Sequence, residues 1–236
     1  MVPFQQNRSE KANATLAARP TPFISRLFPQ PQNPVKGLFL GLAVGVALAV
    51  STVPVAAAGN VGSAFLVAQK PAKAPSGFIG LCARYDWVCS ATKARGNVTA
   101  EHISLAKTIN RTVNRQVKEI EDLRQYGKEE HWALPSARGG DCEDLVLLKK
   151  KMLVERGVPS DALLIATVLD RKLNSHAVLV MRTKAGDLVL DNLTNKIKPW
   201  KETGYTFLKL QNPKSLNRWD AVLAGGVISD RPTASR

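Results

Sequence analysis

Gly139-Gly140-Asp141-Cys142-Glu143-Asp144 is the stretch on which the reading of this 236-residue chain turns. The two glycines let other backbone come close, and Asp141 is placed to cap a helix that starts near Cys142. Leu145, Leu148, Met152 and Leu153 would supply the buried face of that helix. Lys149, Lys150, Lys151, Glu155 and Arg156 would face outward, and Gly157 and Pro159 would end it. A thiol on the first turn lies over the positive end of the helix dipole. Such a cysteine becomes a nucleophile when its thiolate is populated and a base is within reach. The backbone N–H of Cys142 is then placed to serve as one oxyanion donor.

Downstream, the period changes from helix to strand. Residues 163–169, 176–182 and 188–193 are short aliphatic or β-branched runs, and Thr183-Lys184-Ala185-Gly186 can join the last two as a hairpin. In that register Arg182 opposes Asp187 and His176 opposes Leu193. Asp191 is then two residues away from His176 on the same face, within reach if a bulge or twist closes the gap. Three histidines could serve as base. His102 falls off the apolar stripe of an upstream helix and reads as solvated. His131 stands in a loop beside Trp132 and reads as a surface residue. His176 opens a strand, where it is either a core-edge histidine or the base, with Asp191 holding its tautomer. Trp200, Tyr205, Phe207 and Trp219 supply aromatics to the tail.

Upstream, Ile103, Ala106, Ile109, Val113, Val117, Ile120 and Leu123 recur at three- and four-residue steps, predicting one helix over 100–126 that stops at Gly127. Helices followed by an antiparallel sheet make an α+β fold. Residues 59–76 read as a linker and residues 1–35 as disordered. Residues 37–58 carry no charge, follow Lys36, and end on Val55-Ala56-Ala57-Ala58. That pattern reads as a secretory signal within residues 1–58, the alternative being an uncleaved membrane anchor. The domain proper is then 77–236. Net charge is +14, and removing residues 1–58 leaves about +10. Lysines and arginines are scattered and no nucleic-acid motif accompanies them, so no nucleic-acid partner is expected. In an exported protein, three cysteines give one pair and one free thiol. Cys82 and Cys89 are the neighbouring pair; Cys142 is left over.

These features together resemble a known family. G-G-D-C-E-D at 139–144, S-H-A-V-L-V at 175–180 and L-V-L-D-N-L at 188–193 are similar to the bacterial transglutaminase-like cysteine proteinases. I-N-R-T-V-N-R, E-D-L-R-Q-Y-G, Trp132, K-P-W, T-G-Y-T-F and the F-I-G-L-C…C opening extend the resemblance over residues 76–222. It implies a papain/transglutaminase-like fold with the nucleophile at a helix N-terminus packed on an antiparallel sheet. It implies Cys142 as nucleophile, His176 as base and Asp191 as orienter. It further implies calcium, held by Asp141 and Glu143 with Asp144 a further candidate, and a periplasmic location. The implied partners are a protein substrate such as a large surface adhesin cut near an Ala-Ala site, and an inner-membrane receptor for cyclic diguanylate. Leu145 departs from the family, which commonly has an aromatic there. Three other functions fit the same residues: acyl transfer to an amine, a peptidoglycan amidase, or a binding protein with a dead site.

Overall fold

In a computed structural model, residues 63–91 and 97–229 are described; the expected signal within 1–58 and the disorder expected over 1–35 lie outside them. In chain order the elements are β1 (Lys70–Ala72), α1 (Leu81–Arg84), α2 (Ala100–Gln116), α3 (Asp122–Tyr126) and α4 (Cys142–Val154). They continue with β2 (Leu163–Leu169), β3 (Ser175–Arg182), β4 (Asp187–Leu190), β5 (Lys198–Pro199), β6 (Thr206–Asn212), β7 (Ser215–Ala224) and α5 (Gly226–Ser229). The strands form one antiparallel sheet in the order β1-β7-β6-β2-β3-β4-β5. Among the described residues, no helix is long and apolar enough to cross a membrane.

Alternation along the central strands sorts two cores. Leu163 and Ile165 on β2 join Ala177, Leu179 and Met181 on β3 against Leu145, Leu147 and Leu153 of α4 and Ile109 and Val113 of α2. Leu164, Ala166, Val178 and Val180 point the other way, toward Leu66, Trp200, Tyr205 and Phe207. This period-2 pattern is what fixes the register. The hairpin forms as the sequence implies, with Arg182 opposite Asp187. Phe78, Trp132 and Trp219 pack edge to face, with centroids 5.2 to 6.2 Å apart, and tie the N-terminal region to β7. Cys82 and Cys89 are joined as a disulfide, and Cys142 is free.

Three expectations change. The predicted helix over 100–126 is two helices. α2 stops at Gln116, Val117 is extended, and the following backbone pairs with the nucleophile loop: Gly140 N–H donates to Lys118 O and Ile120 N–H to Gly140 O, both at 3.1 Å. Apolar spacing continued past the break because Val117 and Ile120 stay half-buried, while Leu123 ends up 61% exposed. Gly127, in the left-handed region at φ 66°, does cap α3. Second, residues 59–76 are not only linker. Leu66 is core, β1 pairs with β7, and Asp187 Oδ2 accepts the Leu66 N–H at 2.8 Å. Three residues are too few to show a strand period, and Pro71 is tolerated because β1 is an edge strand.

The third correction concerns Lys149 and Lys150, which were expected outside and are wholly buried. α4 is covered on more than one side, by α2 and by the sheet, so its inward arc is wider than one apolar stripe. Burial lowers both ammonium groups to about 7. Lys150 Nζ donates to Gln211 Oε1 at 3.0 Å, and Lys149 Nζ has no hydrogen-bond partner among the described residues.

Candidate active site

Asp141 caps α4 as its sequence suggests, accepting the Asp144 N–H at 3.4 Å, and Cys142 is the first helical residue. The backbone N–H of Ala177, the residue after His176, is close enough to the Cys142 sulfur to favour its thiolate, though burial outweighs it. That contact sets the thiol against the start of β3. Cys142 and His176 line one cleft of about 520 Å³. His176 is 8% exposed, and its Nε2 bonds Asp191 Oδ1 at 2.9 Å. With Nε2 engaged by the carboxylate, Nδ1 is the ring nitrogen left for the thiol.

No bulge is needed to bring Asp191 in. β4 ends at Leu190, so Asp191 leaves the ladder and turns. The turn is an Asx turn, in which the Leu193 N–H donates to Asp191 Oδ1 at 3.0 Å. Tyr205 OH donates to the other oxygen at 2.6 Å. Burial alone would raise this carboxyl, but the bonds from His176, Tyr205 and Leu193 outweigh it and hold Asp191 below its ordinary value. Tyr205 in turn is pushed up, by burial and by the carboxylate it serves. On the helix side, Asn114 Nδ2 donates to Asp191 O at 2.8 Å, and Asn110 Nδ2 to Thr194 O at 3.2 Å. α2 thereby fixes the loop that carries the carboxylate.

The acids around the thiol divide into two groups. Glu143 Oε2 accepts from the Cys142 sulfur at 2.9 Å. Burial first, and then the charge and hydrogen bond of Glu143, raise the thiol well above its ordinary value. Asp141 and Asp144 instead gather with Asp122, each offering an oxygen within 4.8 Å of the others'. His131 N–H donates to Asp122 Oδ2, and Ala133 N–H to Asp144 Oδ1 at 2.7 Å. Their other oxygens, Asp122 Oδ1 and Asp144 Oδ2, are buried with no hydrogen-bond partner among the described residues. Burial and then the neighbouring carboxylates push Asp141 up to about 8; burial, against the Ala133 bond, pushes Asp144 up to about 7. Orphaned oxygens in an all-carboxylate set fit a hard divalent cation such as calcium, which takes oxygen ligands.

The other two histidines are elsewhere. His102 closes a capping box with Thr99 at the start of α2, and the ring of His131 packs on Tyr126. Asp122 and Tyr205 are the contributors to the site that the sequence reading missed. The apolar spacing puts Asp122 inside a continuous helix and Tyr205 among tail aromatics, so neither carries a signal of its own. Asn110 had one, as a polar residue next to Ile109 on the buried side of α2.

A helix-borne thiol in one cleft with a strand-borne imidazole, itself held by a carboxylate from the turn after the next strand, is the arrangement of a papain/transglutaminase-like cysteine hydrolase. The family model described as bacterial transglutaminase-like cysteine proteinase BTLCP matches residues 68–226, and the chain belongs to that family. It is a cysteine protease. No curated protein matches the chain. Among solved structures, calcium-bound LapG of Legionella pneumophila is 24% identical with a TM-score of 0.44, covering 57% of this chain and 75% of that one. The EGTA-treated form is 27% identical with a TM-score of 0.41, covering 47% and 63% respectively.

Proposed function

We propose that this protein is an exported, calcium-dependent endopeptidase that cleaves one cell-envelope or surface protein, such as a large adhesin. The observation that carries the catalytic assignment is the 2.9 Å bond from His176 Nε2 to Asp191, made in the cleft that Cys142 also lines. Cys142 is the nucleophile. His176 takes its proton at Nδ1 while Asp191 holds the ring and supports the imidazolium. The thiolate adds to the scissile carbonyl, and the oxyanion is met by the Cys142 backbone N–H. His176 then protonates the leaving amine, leaving a thioester that water hydrolyses with the imidazole as base.

Asp122, Asp141 and Asp144 would hold the calcium ion, with Glu143 alongside. A bound divalent ion supplies positive charge where several carboxylates crowd a thiol that must ionise. Export is supported by the uncharged run 37–58 after a basic N-region and by the Cys82–Cys89 disulfide, since disulfides persist in oxidising compartments. A periplasmic location follows from that reading, and a cyclic-diguanylate receptor in the inner membrane is the proposed regulator. The deciding experiment compares new N-termini in the envelopes of cells carrying wild-type or Cys142→Ala protein. One protein processed only by wild type, and not after chelation, is expected. Identical N-terminal profiles would overturn the assignment.

A further inference from the structure

The cleft at Cys142 and His176 has a charge opposite to that of its protein. The chain holds 33 lysines and arginines against 19 acids, yet among the described residues eight carboxylates and no lysine or arginine line this cleft. Five of the eight have local duties. Asp122 and Asp141 belong to the calcium cluster, Glu143 bonds the thiol, Asp170 closes the β2–β3 turn, and Glu130 accepts from Trp132 Nε1. The remaining three, Glu119, Glu121 and Glu129, are exposed, and among the described residues no hydrogen bond or ion pair engages their side chains. One calcium ion cancels two charges at most, and these three lie outside its cluster.

Carboxylates alone would not make a ligand site. The thiol and imidazole on the same wall do, because the cleft of a protease is filled by a peptide chain. Glu119 and Glu121 flank Ile120, whose N–H is bonded to Gly140 O in the nucleophile loop, so their backbone is fixed relative to Cys142. Leu123 and Leu193, 61% and 55% exposed, give the same cleft apolar contacts. The chain's 33 lysines and arginines stand against only eleven acids outside the cleft, so negative charge is concentrated in it. Charges gathered in a cleft steer ligands of opposite sign and penalise those of like sign.

We propose that the cleft selects a peptide segment carrying lysine or arginine beside the scissile bond, with Glu119, Glu121 and Glu129 reading those charges. This rests on the protease reading given above. The test uses three fluorescein-labelled peptides built on one Ala-Gly-Ser sequence, flanked by two lysines, two glutamates or two serines. Binding to calcium-loaded Cys142→Ala protein is read by anisotropy at low and at 0.5 M salt, on the order of the change that shrinks the Debye length to a few ångströms. The lysine peptide should bind about tenfold or more tighter than the glutamate peptide. The gap should close at high salt, and in protein also carrying Glu119→Gln, Glu121→Gln and Glu129→Gln. Equal binding of the three peptides, tighter binding of the glutamate peptide, or no binding of the lysine peptide at low salt would overturn the proposal. Wild-type turnover of the same peptides separates the two readings. Charge-selective binding without any cleavage sinks the protease assignment and leaves the selectivity standing. Cleavage with no charge preference does the reverse.

Discussion

Replacing Lys150 by methionine should make this protein more stable at neutral pH, although it removes a hydrogen bond. Lys150 is wholly buried, and desolvation alone lowers it from 10.5 to about 7. A lysine of ordinary affinity in the unfolded chain is protonated at pH 7, so folding must release or bury that proton. At 1.36 kcal/mol per pKa unit, the depression costs on the order of 4 kcal/mol of stability at pH 7. Methionine has a similar shape and no charge to desolvate. Gln211 Oε1 loses the Lys150 donor but keeps the Ile165 N–H at 3.0 Å, so the lost bond costs about 1 kcal/mol. The net expectation at pH 7 is a gain of about 3 kcal/mol, the difference of those two terms. The sign depends on pH. Between about 7 and 10.5 the unfolded state binds more protons than the folded one, so wild-type stability rises with pH through that window. The methionine variant lacks that contribution, and its advantage should vanish by about pH 10. Urea unfolding at pH 7, 8, 9 and 10, with both proteins carrying Cys142→Ala to avoid thiol oxidation, measures this. A variant less stable than its parent at pH 7, or two parallel pH profiles, would refute the reasoning.

Cys142→Ala should lower kcat/KM by roughly 10⁴-fold or more while far-UV circular dichroism stays unchanged; His176→Ala should cost a comparable amount and the double variant little more. Tyr205→Phe removes the 2.6 Å bond to Asp191 and should cost about tenfold in kcat, the value of a hydrogen bond to a charged group. It should also move the acid limb of the kcat–pH profile upward, because the Asp191 charge would be lost at a higher pH as pH falls; an unmoved limb would place Tyr205 outside the catalytic network. Gly140→Ala puts a Cβ 2.6 Å from Asp144 Oδ2, so the variant should bind calcium about tenfold or more weakly by calorimetry, the effect of disturbing a ligand's surroundings. Unchanged affinity would argue against Asp144 as a ligand.

The strands and the nucleophile helix were legible because their signals are local. Residues 163–169 coincide with β2, and the four-residue hairpin set the register that brings Asp191 toward His176. The limits of the sequence reading lie where the cause is tertiary. The break at Val117 exists because the 118–120 backbone pairs with Gly140, a partner more than twenty residues away that no spacing rule reveals. Asp122 joins Asp141 and Asp144 only because that break turns α3 toward the loop. Lys149 and Lys150 read as surface residues on composition, and the covering of α4 from two sides put them inside. The sequence groups Glu143 with Asp141 and Asp144 as a metal ligand; in the structure one of its oxygens accepts from the thiol, and its charge bears on Asp141 as well.

The segment ahead of residue 77 has a practical bearing on how the domain behaves when shortened. β1 occupies the free edge of β7, and Leu66 fills the second core under the grip of Asp187, which Arg182 holds at 2.8 Å. A chain begun at Gly77 would leave the ten-residue β7 as a bare edge, with a row of unpaired backbone groups open to any passing strand. Such a truncation invites edge-to-edge association between copies, so the segment from Leu66 to Ala72 serves as a guard against aggregation as well as a part of the sheet.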